Sequence, residues 1–170
     1  MRRTVYGLLI VLAAASAARA EDAPGVALEV VRYPELVRAV QGLKGKVVLV
    51  DFWFEACLPC KREFPKLVAL QEKYRARGLA AVSVNLDDPG QEGVKESVRE
   101  FLRAQKATCR NLMLDEKPEV WQAKLKIEVL PCVFLFDRDG RLLARWDDDA
   151  VDYEAIERRV RKALGDGQTP

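Results

Sequence analysis

The chain predicts an α/β sandwich of three layers, with helices on both faces of a mixed central sheet. Three observations carry this. Strand-like and helix-like stretches alternate from residue 26 to residue 164. The run VVLVDFWF, residues 47–54, is apolar almost throughout, which suits a central strand covered on both faces. Cys132 to Phe136 and Leu142 to Trp146 are strand-like runs joined by Asp137-Arg138-Asp139-Gly140, a hairpin signal that makes the sheet mixed. At 170 residues a single domain is expected, large enough to build a core without disulfide staples.

The elements follow in order. Val26 to Val31 reads as a strand, and Pro34 suits the first turn of a helix over Glu35 to Leu43. Lys46 to Phe54 is the central strand. A long helix follows from Pro59 to Arg77, ended by Gly78. Leu79 to Asn85 is a strand. Val94, Val98, Phe101 and Leu102 give helical spacing to Val94 to Lys106. Asn111 to Leu114 is a short strand and Glu119 to Leu125 a short helix. After the hairpin, Tyr153, Ile156, Val160 and Leu164 share one face of a closing helix, Tyr153 to Leu164.

The ends are read separately. Arg2 and Arg3, an apolar run from Val5 to Ala18, and Ala18-Arg19-Ala20 form an export signal over 1–20, cut after Ala20. The alternative is an uncleaved N-terminal anchor, but an apolar run of about 14 residues is short against the 20 of a spanning helix. No stable membrane insertion is therefore expected after cleavage, and a periplasmic or otherwise exported location follows. Residues 21–25 are a leader, 26–164 the domain and 165–170 a flexible tail. Cleavage removes Arg2, Arg3 and Arg19, three of the 28 basic residues, and none of the 26 acidic ones. The net charge falls from +2 to −1, which argues against nucleic acid as a partner.

There is no histidine. Histidine triads, bases and metal ligands are all excluded, so acid–base chemistry falls to carboxylates, thiols, tyrosines or lysines. The chemistry-bearing motif is Cys57-Leu58-Pro59-Cys60, at the junction of the central strand and the long helix. Two intervening residues at a helix start bring two sulfurs within bonding distance. The free N–H groups and partial positive charge there favour a thiolate. Cys57, at the tip, is the attacking thiol, and Cys60, one turn in, is the resolving one. Pro59 fits a first-turn position, and Pro65 should bend the helix. Two plainer readings remain: a stapling disulfide, or half a zinc site completed by Cys109 and Cys132.

The flanks of the motif, VVLVDFWFEACLPCKREFP, resemble the thioredoxin superfamily in the strand, the pair Phe52-Trp53, the C-x-P-C and the helix carrying Pro65. Val129-Leu130-Pro131, just before a strand, resembles that superfamily's cis-proline loop. The extra helix and strand within Val94 to Leu125, Glu63-Phe64-Pro65 and the export signal resemble the exported thiol–disulfide reductases of the TlpA/ResA type. The resemblance implies a thioredoxin-like fold and disulfide exchange with exported proteins, including apo-cytochromes. It also implies a membrane thiol donor upstream, a monomer, and no cofactor beyond the Cys57–Cys60 disulfide. Leu130, Pro131, Trp53 and Pro59 would meet the substrate.

Two carboxylates stand near the motif. Asp51 lies inside the apolar strand, where burial raises a carboxyl pKa and suits a proton acceptor for the resolving thiol. Thioredoxins carry an aspartate at the matching place. The plainer reading is a strand-end carboxylate satisfied by N–H groups. Glu63, three residues after Cys60, shares its helix face. It either tunes the thiols, as the resemblance implies, or pairs on the surface with Arg62 or Lys66. Two residues depart from the family pattern: Ala56 stands where a tryptophan is usual, and Leu58 offers the sulfur no polar group. Without a histidine in the dipeptide, the resemblance implies a reducing disulfide. Cys109 and Cys132 are either a second bridge or two buried thiols, and Cys132 is also a candidate third redox thiol. Two other functions compete with a reductase. A peroxiredoxin-type peroxidase would carry a threonine where Phe54 stands, and a non-catalytic binding module would not need Cys57, Cys60 and Pro131.

Overall fold

A computed structural model describes residues 26–147 and 151–166. The segments read as export signal and leader, and residues 167–170 of the tail, lie outside them. The elements are β1 (Leu28–Val31), α1 (Tyr33–Gln41), β2 (Val47–Trp53), α2 (Leu58–Tyr74), β3 (Leu79–Asn85) and α3 (Val94–Ala104). They continue with β4 (Arg110–Leu114), α4 (Pro118–Leu125), β5 (Cys132–Phe136), β6 (Leu142–Trp146) and α5 (Tyr153–Leu164). The expected three-layer α/β sandwich is what forms.

The six strands make one sheet in the order β1-β4-β3-β2-β5-β6. The first four are mutually parallel, and β5 and β6 add antiparallel pairings. The extra helix–strand segment slots β4 between β1 and β3. β2 is buried along its whole length because side chains alternate between two covered faces. Val47, Leu49 and Trp53 meet Phe64 and Leu67 of α2, Val98 and Leu102 of α3, and Ile156 and Val160 of α5. Val48, Val50 and Phe52 meet Leu36 of α1 and Trp121 of α4.

Local chemistry sets the ends. The N–H of Arg32 donates to Glu35 Oε2 at 2.8 Å and starts α1. Helix α2 runs through Pro65 and tightens into a single 3₁₀ turn, Arg75–Arg77, where the sequence pattern suggested continuous α-helix. Gly78 then takes φ +98°, a left-handed conformation that glycine adopts at little cost. Asp152 caps α5, its carboxylate accepting from the N–H groups of Glu154 at 2.9 Å and Ala155 at 3.1 Å. In the hairpin, the Asp137 carboxylate accepts from the N–H groups of Asp139 and Arg141. Among the described residues no helix is long and apolar enough to cross a membrane.

Candidate redox site

The site lies at the carboxyl end of β2. The chain leaves the sheet at Trp53 and re-enters regular structure at Leu58, the start of α2. Cys57 is the N-cap of α2, and its sulfur accepts from the N–H of Cys60 at 3.3 Å. A sulfur in this position takes up one of the donors a helix start leaves unpaired. Cys57 and Cys60 are joined in a disulfide, S–S 2.04 Å, with Cα atoms 5.3 Å apart. Cys60 is buried, Cys57 half-buried, and Leu58 between them is 77% exposed.

Strand β5 pairs antiparallel with β2, setting Cys132 opposite Phe52. This register places Pro131, the residue before β5, at the same edge as the disulfide. The Leu130–Pro131 peptide is cis. Pro59 and Pro131 line one groove of about 410 Å³ with Glu63 and Tyr153. Leu130, the residue before Pro131, is half-buried. Trp53 does not belong to this surface. It is 0% exposed, donates its indole N–H to Ser83 Oγ at 2.9 Å, and packs against Phe64 and Phe101. The expectation that Trp53 touches substrate is therefore corrected: its odd-numbered place on β2 turns it into the core, under the site.

The two carboxylates separate. Asp51 is 2% exposed on the face of β2 covered by α2 and α5. Burial pushes its pKa up to about 7, although a hydrogen bond from the Tyr153 hydroxyl at 3.2 Å pulls it partly back. Its Oδ1 is buried without a partner. Burial and the neighbouring carboxylate hold the Tyr153 phenol well above its ordinary range, so it remains a donor. Glu63 is half-buried yet ion-paired to Lys66 at 2.5 Å and Arg62 at 3.3 Å. The Lys66 hydrogen bond, foremost, holds its pKa low, so it stays ionised at neutral pH. Glu63 thus faces the groove and also makes the pairs expected of a helix-surface glutamate.

Sequence reasoning passed over Tyr153 as a site residue, seeing only its place on the buried stripe of α5. It also passed over a polar cluster around the loop before Cys57. There the N–H of Glu55 donates to Asp87 Oδ2 at 2.7 Å, and Lys61 Nζ donates to Glu55 Oε1 at 2.7 Å. Nothing in the local sequence pattern pairs Glu55 with Asp87, which stands 32 positions away.

Cys109 and Cys132 are both free and buried. Burial pushes each thiol up to about 12. Cys109 packs on the α2 and α5 side of the sheet, Cys132 on the α1 and α4 side. Of the readings left open for these two cysteines, the structure has two buried thiols: the sheet between them leaves neither the bridge nor a zinc site shared with Cys57–Cys60. Cys132 is likewise no third redox thiol, being 0% exposed and protonated at neutral pH. Among the described residues no group of three or more Cys, Asp or Glu gathers as a metal site.

Comparison with known proteins gives one direction. Residues 45–142 match the model of a family described as Thioredoxin-like. Thiol-disulfide oxidoreductase ResA of Bacillus subtilis is 28% identical over 75% of this chain and 66% of its own length. Protein DipZ of Mycobacterium bovis is 29% identical over 76% of this chain but only 18% of DipZ. The chain thus spans two thirds or less of these relatives. A Chlorobium tepidum protein assigned as the thiol:disulfide interchange protein DsbE superposes with TM-score 0.61. It is 32% identical, over 73% of this chain and 84% of that one.

Proposed function

Since the chain belongs to the thioredoxin-like family, we propose that it is a thiol–disulfide oxidoreductase that reduces disulfides of exported proteins. One observation carries this: a disulfide at a helix start with one sulfur reachable and the other buried. In the reduced protein the Cys57 thiolate attacks a substrate sulfur and forms a mixed disulfide, expelling the substrate's second sulfur as a thiolate. Cys60 then loses its proton and attacks Cys57, re-forming the intramolecular bond. The substrate leaves with two thiols, and the protein has given up two electrons.

Asp51 is the proton acceptor for Cys60 in this scheme. Its pKa of about 7 matches the working pH, whereas Glu63 stays ionised and acts as a fixed charge. Pro59, Leu130 and Pro131 form the surface on which the substrate strand lies. The disulfide is the whole redox group. Apo-cytochromes are one substrate class, the protein works as a monomer, and a membrane thiol donor restores the dithiol. Residues 1–20 direct export, with cleavage after Ala20. Insulin reduction with dithiothreitol as donor tests the proposal: the wild-type protein accelerates it and Cys57→Ser does not. Activity surviving that substitution overturns the scheme, and rapid peroxide consumption by the reduced protein would favour a peroxidase.

A further inference from the structure

We propose that Glu55 is a positioning residue of the redox site: it ties down the loop before Cys57 and neutralises the ammonium of Lys61, a residue one helical turn from Cys57, keeping the disulfide reducing. This rests on the reading that Cys57 and Cys60 exchange disulfides. Lys61 lies four residues after Cys57, and its N–H donates to the Cys57 carbonyl at 3.0 Å. Lys61 thus stands in the first turn of α2, one turn along the helix from Cys57. There it would stabilise a Cys57 thiolate, were it not engaged elsewhere. Glu55 engages it at 2.7 Å, and the ammonium also lies 4.9 Å from the centre of the Phe101 ring on α3.

The clamp has three anchors. Around the Glu55 carboxylate stand Lys61 from α2 and Ser97 from α3, whose hydroxyl donates to Oε1 at 3.2 Å. Asp87, in the loop after β3, holds the Glu55 N–H and is itself fixed by the Asn85 side-chain amide at 2.8 Å. The second oxygen, Oε2, is buried without a hydrogen bond. Ala56, next to Glu55, is exposed, and the polar clamp joins this loop to α3 and to the loop after β3.

Equilibration with glutathione tests this. Reduced glutathione supplies two electrons and two protons and becomes its own disulfide, while Cys57–Cys60 becomes the dithiol. Glu55→Gln leaves Lys61 uncompensated. The dithiol-to-disulfide ratio should rise about tenfold, or about 30 mV, and the Cys57 thiol should titrate about one pH unit lower. Lys61→Gln should move both in the opposite direction, and the double variant should return close to wild type. Single variants that shift together, or by less than twofold, overturn the inference. Should one single variant not fold, the sign of the other's shift decides. The two claims fail separately: a wild-type protein inert toward insulin sinks the oxidoreductase reading, whereas an active one with an unmoved Glu55→Gln potential sinks only the role of Glu55.

Discussion

At the scale of single residues, the same charge type behaves in opposite ways according to what surrounds it. Asp51 has a native pKa of about 7 against an ordinary 3.8, so the native state binds its proton more tightly than the unfolded chain. Its contribution is intact below about pH 4 and is lost progressively as the pH rises through 7. Asp51→Asn should therefore gain up to about 4 kcal/mol of stability above pH 7, little below pH 4, and lose disulfide-reduction rate. Urea unfolding at both pH values checks the first part. Tyr153→Phe removes the one hydrogen bond that lowers the Asp51 pKa, so the pH midpoint of turnover should move upward. Cys57, Cys60 and Asp51 were legible because a motif and an apolar context single them out. Glu55 and Tyr153 were not, since their partners lie 6 and 102 positions away and only the fold brings them together.

At the scale of elements, ends matter more than interiors. β3, β5, β6 and α5 were legible to the residue, because each is bounded by glycine, proline, aspartate or a sharp change of period. The end of α2 was not, since a 3₁₀ turn and an α-turn share side-chain patterns. A methyl group at Gly78 would stand 3.7 Å from its nearest neighbour, Arg138 Nη2, so space is ordinary and only the φ of +98° resists a side chain. Gly78→Ala should cost about 1 kcal/mol, read as a lower urea midpoint with an unchanged slope. Asp152→Ala should cost about 1 kcal/mol as a lost cap. Tyr153 is the first residue of α5, so this loss also loosens the donor to Asp51, and the pH profile of turnover should broaden or shift with the stability.

At the scale of the whole molecule, the order β1-β4-β3-β2-β5-β6 puts the site strand inside the sheet and leaves β1 and β6 as edges. Amide exchange should be slowest in β2 and β3 and fastest in β1 and β6. Uniform protection across all six strands would contradict this. The alternation of strands and helices made this architecture legible. The placement of β4 beside β1 was not, because strand order depends on crossovers that leave no local pattern. The sheet has one more consequence. By holding Cys109 and Cys132 on opposite sides, it keeps these two thiols from forming a second redox couple beside Cys57–Cys60. The molecule then carries two electrons at a time and has no reserve. One round of disulfide exchange uses its whole capacity, whichever way the electrons pass.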